Sequence, residues 1–124
     1  MIRKGLISLC FVVPAAGFAQ ERDCADPVSQ SDMNICAYEA WQRADVDLND
    51  TYARAMEVAR GWSDGAAEAL RAAQRAWLPY RDAACTAEGF LFEGGSMEPF
   101  IVNSCLEHLT RQRTEELRAV YEMN

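Results

Sequence analysis

The sequence predicts an all-α domain, an antiparallel helical hairpin with a third helix packed against it, forming a three-helix bundle stapled by disulfides. Two observations predict it. Apolar residues recur at steps of three and four along three long stretches, the period of one helical face, and no stretch alternates apolar with polar residues as a half-buried strand does. Glycine, serine and aspartate clusters break that pattern at Gly61-Trp62-Ser63-Asp64-Gly65 and again between Gly89 and Gly95.

The chain begins with an address. Arg3 and Lys4 precede an apolar run from Leu6 to Val13, and small residues follow up to Gly17-Phe18-Ala19. A positive start, a short apolar stretch and small residues at the cleavage point describe a secretory signal over residues 1–19, leaving a domain over residues 20–124. The run is too short to cross a bilayer, which takes about 20 apolar residues. Leu9 is too large to precede a lipid-modified cysteine, so Cys10 is expected to leave with the signal. Loss of Arg3 and Lys4 turns the formal charge of −7 into −9. That balance excludes nucleic acid as a partner, because no basic stripe is present to neutralise phosphates. An apolar share of 50% excludes a disordered chain.

The first helix spans about Gln30 to Arg60, with Met33, Ala37, Trp41, Ala44, Leu48, Tyr52, Ala55 and Ala59 along one seam. Ser29 or Ser31 can cap its start, and Ser63 or Asp64 can cap the next helix. The second runs from about Gly65 to Glu88 with Ala66, Leu70, Ala73, Trp77, Tyr80 and Ala84 as its seam. Pro79 predicts a kink there, since an interior proline removes a hydrogen bond. The segment from Gly89 to Gly95 is a loop. Ser96 is expected to cap the third helix, with Glu98 and Pro99 in its first turn. That helix carries Val102, Leu106, Leu109, Leu117 and Val120 inward and ends near Glu122.

Four cysteines remain after the signal: Cys24, Cys36, Cys85 and Cys105. An even count in a short exported chain reads as two disulfides. Cys85 and Cys105 lie nearly level across the second loop, and Cys24 can fold back onto Cys36, which favours those two pairs. Cys36 and Cys85 are also about level, so Cys36–Cys85 with Cys24–Cys105 is the alternative. Either way all four sit at one end of the bundle. No CxxC occurs, and neither a metal nor another cofactor is expected.

Polar residues flank the seams. Asp45 precedes the first turn by about as many residues as Arg81 follows it, so the two lie level in an antiparallel hairpin. Asn49, Gln74, Thr110 and Arg113 fall beside them by the same ruler. This group reads as a polar network that sets helix register, and no catalytic residue is assigned. The competing reading, a catalytic carboxylate pair of Asp45 with Glu39 or Asp47, needs an open cleft. His108 stands alone and reads as a surface residue. Gly94-Gly95-Ser96 is flanked by Glu93 and Glu98, which repel an anion, so it reads as a turn and cap. Trp41, Tyr52, Trp77 and Tyr80 are seam residues and expected in the core. Trp62, Phe90, Leu91 and Phe92 lie in turns, and exposed aromatics at loop tips are candidates for a partner surface.

These residues also carry a resemblance. Gln30-x-Asp32-Met33-Asn34-x-Cys36-Ala37 and Ala44-Asp45-x-Asp47-Leu48-Asn49-x-x-Tyr52 resemble the first helix of the LprI-type lysozyme inhibitor domain. Ala73-Gln74-Arg75-Ala76-Trp77-x-x-Tyr80-Arg81-Asp82-Ala83-x-Cys85 resembles its second helix. Gly94-Gly95-Ser96-Met97, Cys105-Leu106 and Leu109-Thr110-x-x-Arg113-x-x-x-Leu117 resemble its third. The resemblance implies a small exported bacterial helical protein, related to a lipoprotein described as inhibiting lysozyme. The family's recurrent residues fall here on Asp45, Asn49, Trp77, Arg81 and Arg113, the seam and network positions, which marks them as a fold signature. This chain has no lipid-attachment site at Cys10, so the expected location is the periplasm or the medium. The expected function is a non-enzymatic binding protein that blocks lysozyme or another cationic cell-wall hydrolase through an acidic and aromatic surface. The alternative is a structural or interaction module of the envelope with a different partner.

Overall fold

The computed structural model describes residues 22–123, and the signal expected at residues 1–19 lies outside the described residues. Helix α1 spans Gln30–Trp62, α2 spans Asp64–Gly89, a single 3-10 turn covers Phe90–Phe92, and α3 spans Glu98–Tyr121. Among the described residues there is no strand. The all-α hairpin with a third packed helix is the architecture found.

Helix α1 starts where the Ser29 hydroxyl accepts the Asp32 N–H at 3.0 Å, leaving Asp32 as a favourable acid in the first turn. Its 33 residues make a rod of about 50 Å. The expected seam faces inward: Ala37, Ala44, Leu48, Ala55 and Ala59 are buried, with Trp41 and Tyr52 half-buried. Ser63 alone separates α1 from α2. Its N–H donates to the Ala59 carbonyl at 3.1 Å, and its hydroxyl accepts the Ala66 N–H at 3.0 Å. One residue therefore closes the first helix and caps the second.

Helix α2 runs through Pro79 without ending. Arg75 and Pro79 are both exposed, so the turn that loses a hydrogen bond faces water, which can satisfy the freed carbonyl. The inward face differs from the expected one. Ala67, Leu70, Gln74, Arg81 and Cys85 are buried, whereas Ala73 is exposed and Tyr80 is 64% exposed. The seam passes through two polar residues and leaves a tyrosine outside. Alanines on several faces give hydropathy little with which to fix the rotation, and Gln74 and Arg81 have partners that offset their burial.

Ser96 does not cap α3. The residue before the helix is Met97, which makes no side-chain cap bond. Had Ser96 been the cap, its acceptable donors would be Glu98 and Pro99. The Glu98 N–H is bound to the Gly95 carbonyl at 3.3 Å, and proline has no N–H. Instead the Glu98 carboxylate reaches back to accept the Gly94 N–H at 2.9 Å, where Gly94 holds a φ of 74°. Farther along, Val120 is 51% exposed instead of inward, and Thr110 and Thr114 take buried positions. The Thr114 hydroxyl donates to the Thr110 carbonyl at 3.0 Å, which satisfies its buried oxygen.

Three contacts climb α1 and α3 together: Asn34 with Ser96, Asp47 with Arg111, and Arg54 with Glu122. These two helices therefore run parallel, and they form the closest pairing in the bundle. Contacts of α2 run the other way, with Asp45–Arg81 to α1 and Gln74–Arg113 and Cys85–Cys105 to α3. The core has two apolar parts. Leu48, Ala55, Met56, Ala59, Ala67, Leu70 and Leu117 form one, and Cys85, Cys105 and Leu106 form the other, backed by Trp41, Val102 and Leu109.

The cysteines pair as Cys24–Cys36 and Cys85–Cys105, with Cα separations of 5.5 and 5.4 Å. Both bonds lie at the end where α1 begins and α2 ends. They close 12 and 20 residues of sequence, and each contributes about 3 kcal/mol by the chain-entropy argument. Among the described residues no helix is long and apolar enough to cross a membrane.

Candidate functional site

Between the two apolar parts lies a polar belt centred on Arg81. Its side chain is 7% exposed and comes from the middle of α2. The guanidinium sits between two indoles, 5.7 Å from the Trp41 ring and 5.3 Å from the Trp77 ring. Flat cations stack well on such faces because they are weakly hydrated and meet the negative ring quadrupole. The edges of the group are spent on hydrogen bonds. Arg81 donates through Nη1 to Asp45 Oδ1 at 3.4 Å and to Thr110 Oγ1 at 3.3 Å, and through Nε to Asp82 Oδ1 at 3.0 Å. One side chain thus touches all three helices.

The other network residues fall into place around it with one exception. Arg113 donates through Nε to Gln74 Oε1 at 3.0 Å and pairs with Glu116 at 3.2 Å, tying α3 to α2. Asn49 faces solvent, away from Arg81. The Trp41 indole N–H is buried without a hydrogen-bond partner among the described residues.

Among the described residues Asp45, Glu39 and Asp47 do not share one cleft, and each faces an arginine. Asp45 is held by Arg81, Glu39 lies 3.8 Å from Arg22, and Asp47 lies 3.7 Å from Arg111. Among the described residues no group of three His, Cys, Asp or Glu comes together that could hold a metal ion. His108 is exposed. An open groove of about 460 Å³ runs between α2 and α3, lined by Ala66, Leu70, Ala73, Leu117 and Val120, and its charged rim residues Arg113 and Glu116 neutralise each other. This arrangement offers packing and electrostatic contacts between the helices.

The four turn residues Trp62, Phe90, Leu91 and Phe92 divide between opposite ends of the bundle, while Val46, Leu78 and Tyr80 are exposed along the helices between. Trp62 is 58% exposed and stacks on Tyr121 at 5.1 Å, at the end where α1 meets α2. Phe90, Leu91 and Phe92 form the 3-10 turn at the disulfide end, with Leu91 81% exposed. That turn is braced from several sides. Gly89 packs so closely on α3 that a Cβ there would lie 2.6 Å from Val102 Cγ2. Gly95 donates to the Phe92 carbonyl at 2.9 Å, and the Asn34 amide of α1 donates to the Ser96 carbonyl at 3.0 Å.

Sequence reasoning missed how charge is distributed. Residues 22–42 and 82–110, which make up the disulfide half of the bundle, carry nine Asp and Glu against the single Arg22. Residues 43–81 and 111–123, the other half, carry nine Asp and Glu against nine Arg. The division falls between Gln42 and Arg43 on α1, between Arg81 and Asp82 on α2, and between Thr110 and Arg111 on α3. The signal was present in the sequence, but it appears only when charges are counted by height in the bundle and not along the chain.

Comparison with known proteins adds two likenesses. A family model described as "Lysozyme inhibitor LprI" matches residues 22–117. An uncharacterized protein of Rhizobium meliloti (strain 1021) is 46% identical over 125 aligned residues, covering 92% of this chain and 89% of the relative. No solved structure matches the chain.

Proposed function

Because the chain belongs to the LprI lysozyme inhibitor family, we propose that it is an exported binding protein that inhibits a cationic muramidase by covering part of its surface, without chemistry of its own. The match over residues 22–117 carries this reading, since it takes in α1, α2, both disulfides and α3 as far as Leu117. The polar belt supports a binding role over a catalytic one: Asp45, Gln74, Arg81, Thr110 and Arg113 are spent on one another, where they hold three helices in register. Two disulfides fit an oxidising compartment, which together with the expected signal supports the periplasm or the medium as the place of action. An acidic protein is drawn to a basic enzyme over several ångströms, which raises the encounter rate and weakens with salt.

The test is a cell-wall turbidity assay with a cationic c-type lysozyme and the oxidised protein lacking residues 1–19. Inhibition at stoichiometric concentration, relieved as salt is raised above about 0.15 M, is the expected result. Undiminished lysis at a large excess of protein refutes the reading and leaves an envelope module with a different partner.

A further inference from the structure

The bundle is electrically polar. Its disulfide half holds the whole net charge of the described residues, −8, and the other half is neutral. Within the acidic half, Asp32 and Glu39 face Arg22, Asp82 faces Arg81, and Glu107 faces Arg111. Asp23, Asp26, Glu88 and Glu93 are exposed and in no ion pair among the described residues. Glu88 and Glu93 bracket the exposed turn of Phe90, Leu91 and Phe92. No Arg or Lys occurs between Arg81 and Arg111, a stretch whose one imidazole is the exposed His108.

Resting on the reading above, we infer that this acidic pole is the docking surface for the cationic muramidase, with Phe90 and Leu91 as the apolar anchors that enter its substrate cleft. Three features carry the assignment. An apolar tip flanked by the unpaired carboxylates of Glu88 and Glu93 complements a concave site on a basic protein better than one on an acidic protein. The turn is preorganised by the Cys85–Cys105 bond, by the Gly89–Val102 contact and by the Asn34–Ser96 bond, so little conformational freedom remains to be lost on binding. A convex tip can enter a cleft, whereas the Trp62–Tyr121 pair at the neutral pole is stacked on itself and lacks a surrounding field.

The experiment measures binding and inhibition of a cationic c-type lysozyme by the oxidised protein and three double variants. Phe90→Ser with Leu91→Ser removes the anchors. Glu88→Gln with Glu93→Gln removes charge at the acidic pole. Asp50→Asn with Glu57→Gln removes the same charge at the neutral pole, from residues that are exposed and in no ion pair among the described residues. The anchor variant is expected to weaken binding by about tenfold or more while its thermal melt stays unchanged. The Glu88/Glu93 variant is expected to slow association by about threefold and flatten its salt dependence, with the Asp50/Glu57 variant close to the parent.

If the parent binds lysozyme and the anchor variant binds equally well, the docking surface is wrong and inhibition stands. If both charge variants slow association alike, only net charge matters and the pole is refuted. If the parent neither binds nor inhibits, the inhibitor reading itself fails. Sedimentation of the parent as a dimer that the anchor variant abolishes would assign the tip to a second copy of this chain and overturn the inference.

Discussion

Arg81 shows how a charged side chain can belong to a core. Its guanidinium is flanked by Trp41 and Trp77, while its two carboxylate partners remain in contact with water, Asp45 at 40% and Asp82 at 61% side-chain exposure. Removing the arginine therefore strands no buried anion, and the cost is mostly packing. Arg81→Ala is expected to lower stability by about 2–4 kcal/mol, through the void left between two indoles. Arg81→Met, which refills that void without charge, should lose clearly less in urea denaturation. Equal losses would show that the ion pair outweighs the packing. Two glycines make an opposed pair on the same scale. Gly61 has open space around its Cβ direction, so Gly61→Ala should stabilise α1 by about 0.5–1 kcal/mol. Gly89→Ala should instead destabilise by about 1–3 kcal/mol, because the new methyl meets Val102 Cγ2. Adding Val102→Ala should recover part of that loss, and melting curves of the four proteins give the comparison.

At the scale of the element, the helix boundaries depend on who accepts each terminal N–H. Ser63 serves two helices at once, while Ser96 serves none although it stands in an inviting position. Ser63→Ala is accordingly expected to cost about 1 kcal/mol, and Ser96→Ala to stay within about 0.5 kcal/mol of the parent in chemical denaturation. The reverse order would mean that α3 begins at Ser96 in solution. The existence of each helix was legible in the three-and-four spacing of its apolar residues. The face that α2 turns inward was not. Ala66, Ala73 and Ala84 bury too little area to outvote neighbours, so the tyrosine at position 80 drew the predicted seam one residue away from Gln74 and Arg81. Val120 lies along the open groove beside Ala66 and Leu70, where small side chains leave it half exposed.

For the whole molecule, the governing feature is the separation of charge between the two halves. Self-repulsion among nine carboxylates and one arginine opposes folding at the disulfide end, and salt screens it within a Debye length of about 8 Å at physiological strength. The melting temperature should therefore rise as salt is increased from about 0.01 M to about 0.15 M. Glu88→Gln with Glu93→Gln should shrink that rise, and Asp50→Asn with Glu57→Gln should not. A melting temperature indifferent to salt would contradict a charged pole. The disulfides lie where this repulsion is strongest, so the covalent staples and the electrostatic strain occupy the same end.

By itself the sequence determined the class of fold, the number of helices and the level of Asp45 with Arg81, because periodicity and the constant rise of a helix are local properties of the chain; the family was legible in its ordered motifs, and the family model matches residues 22–117. It narrowed the cysteine pairing to two alternatives, and the tertiary structure decided between them. Packing also decided that Arg81 faces inward between two tryptophans, that Asn49 stands outside the network, and that Trp62 lies far from Phe90, Leu91 and Phe92. Such outcomes depend on which residues of different helices share a height and a face. One-dimensional spacing supplies the height; only the packed bundle fixes the rotation.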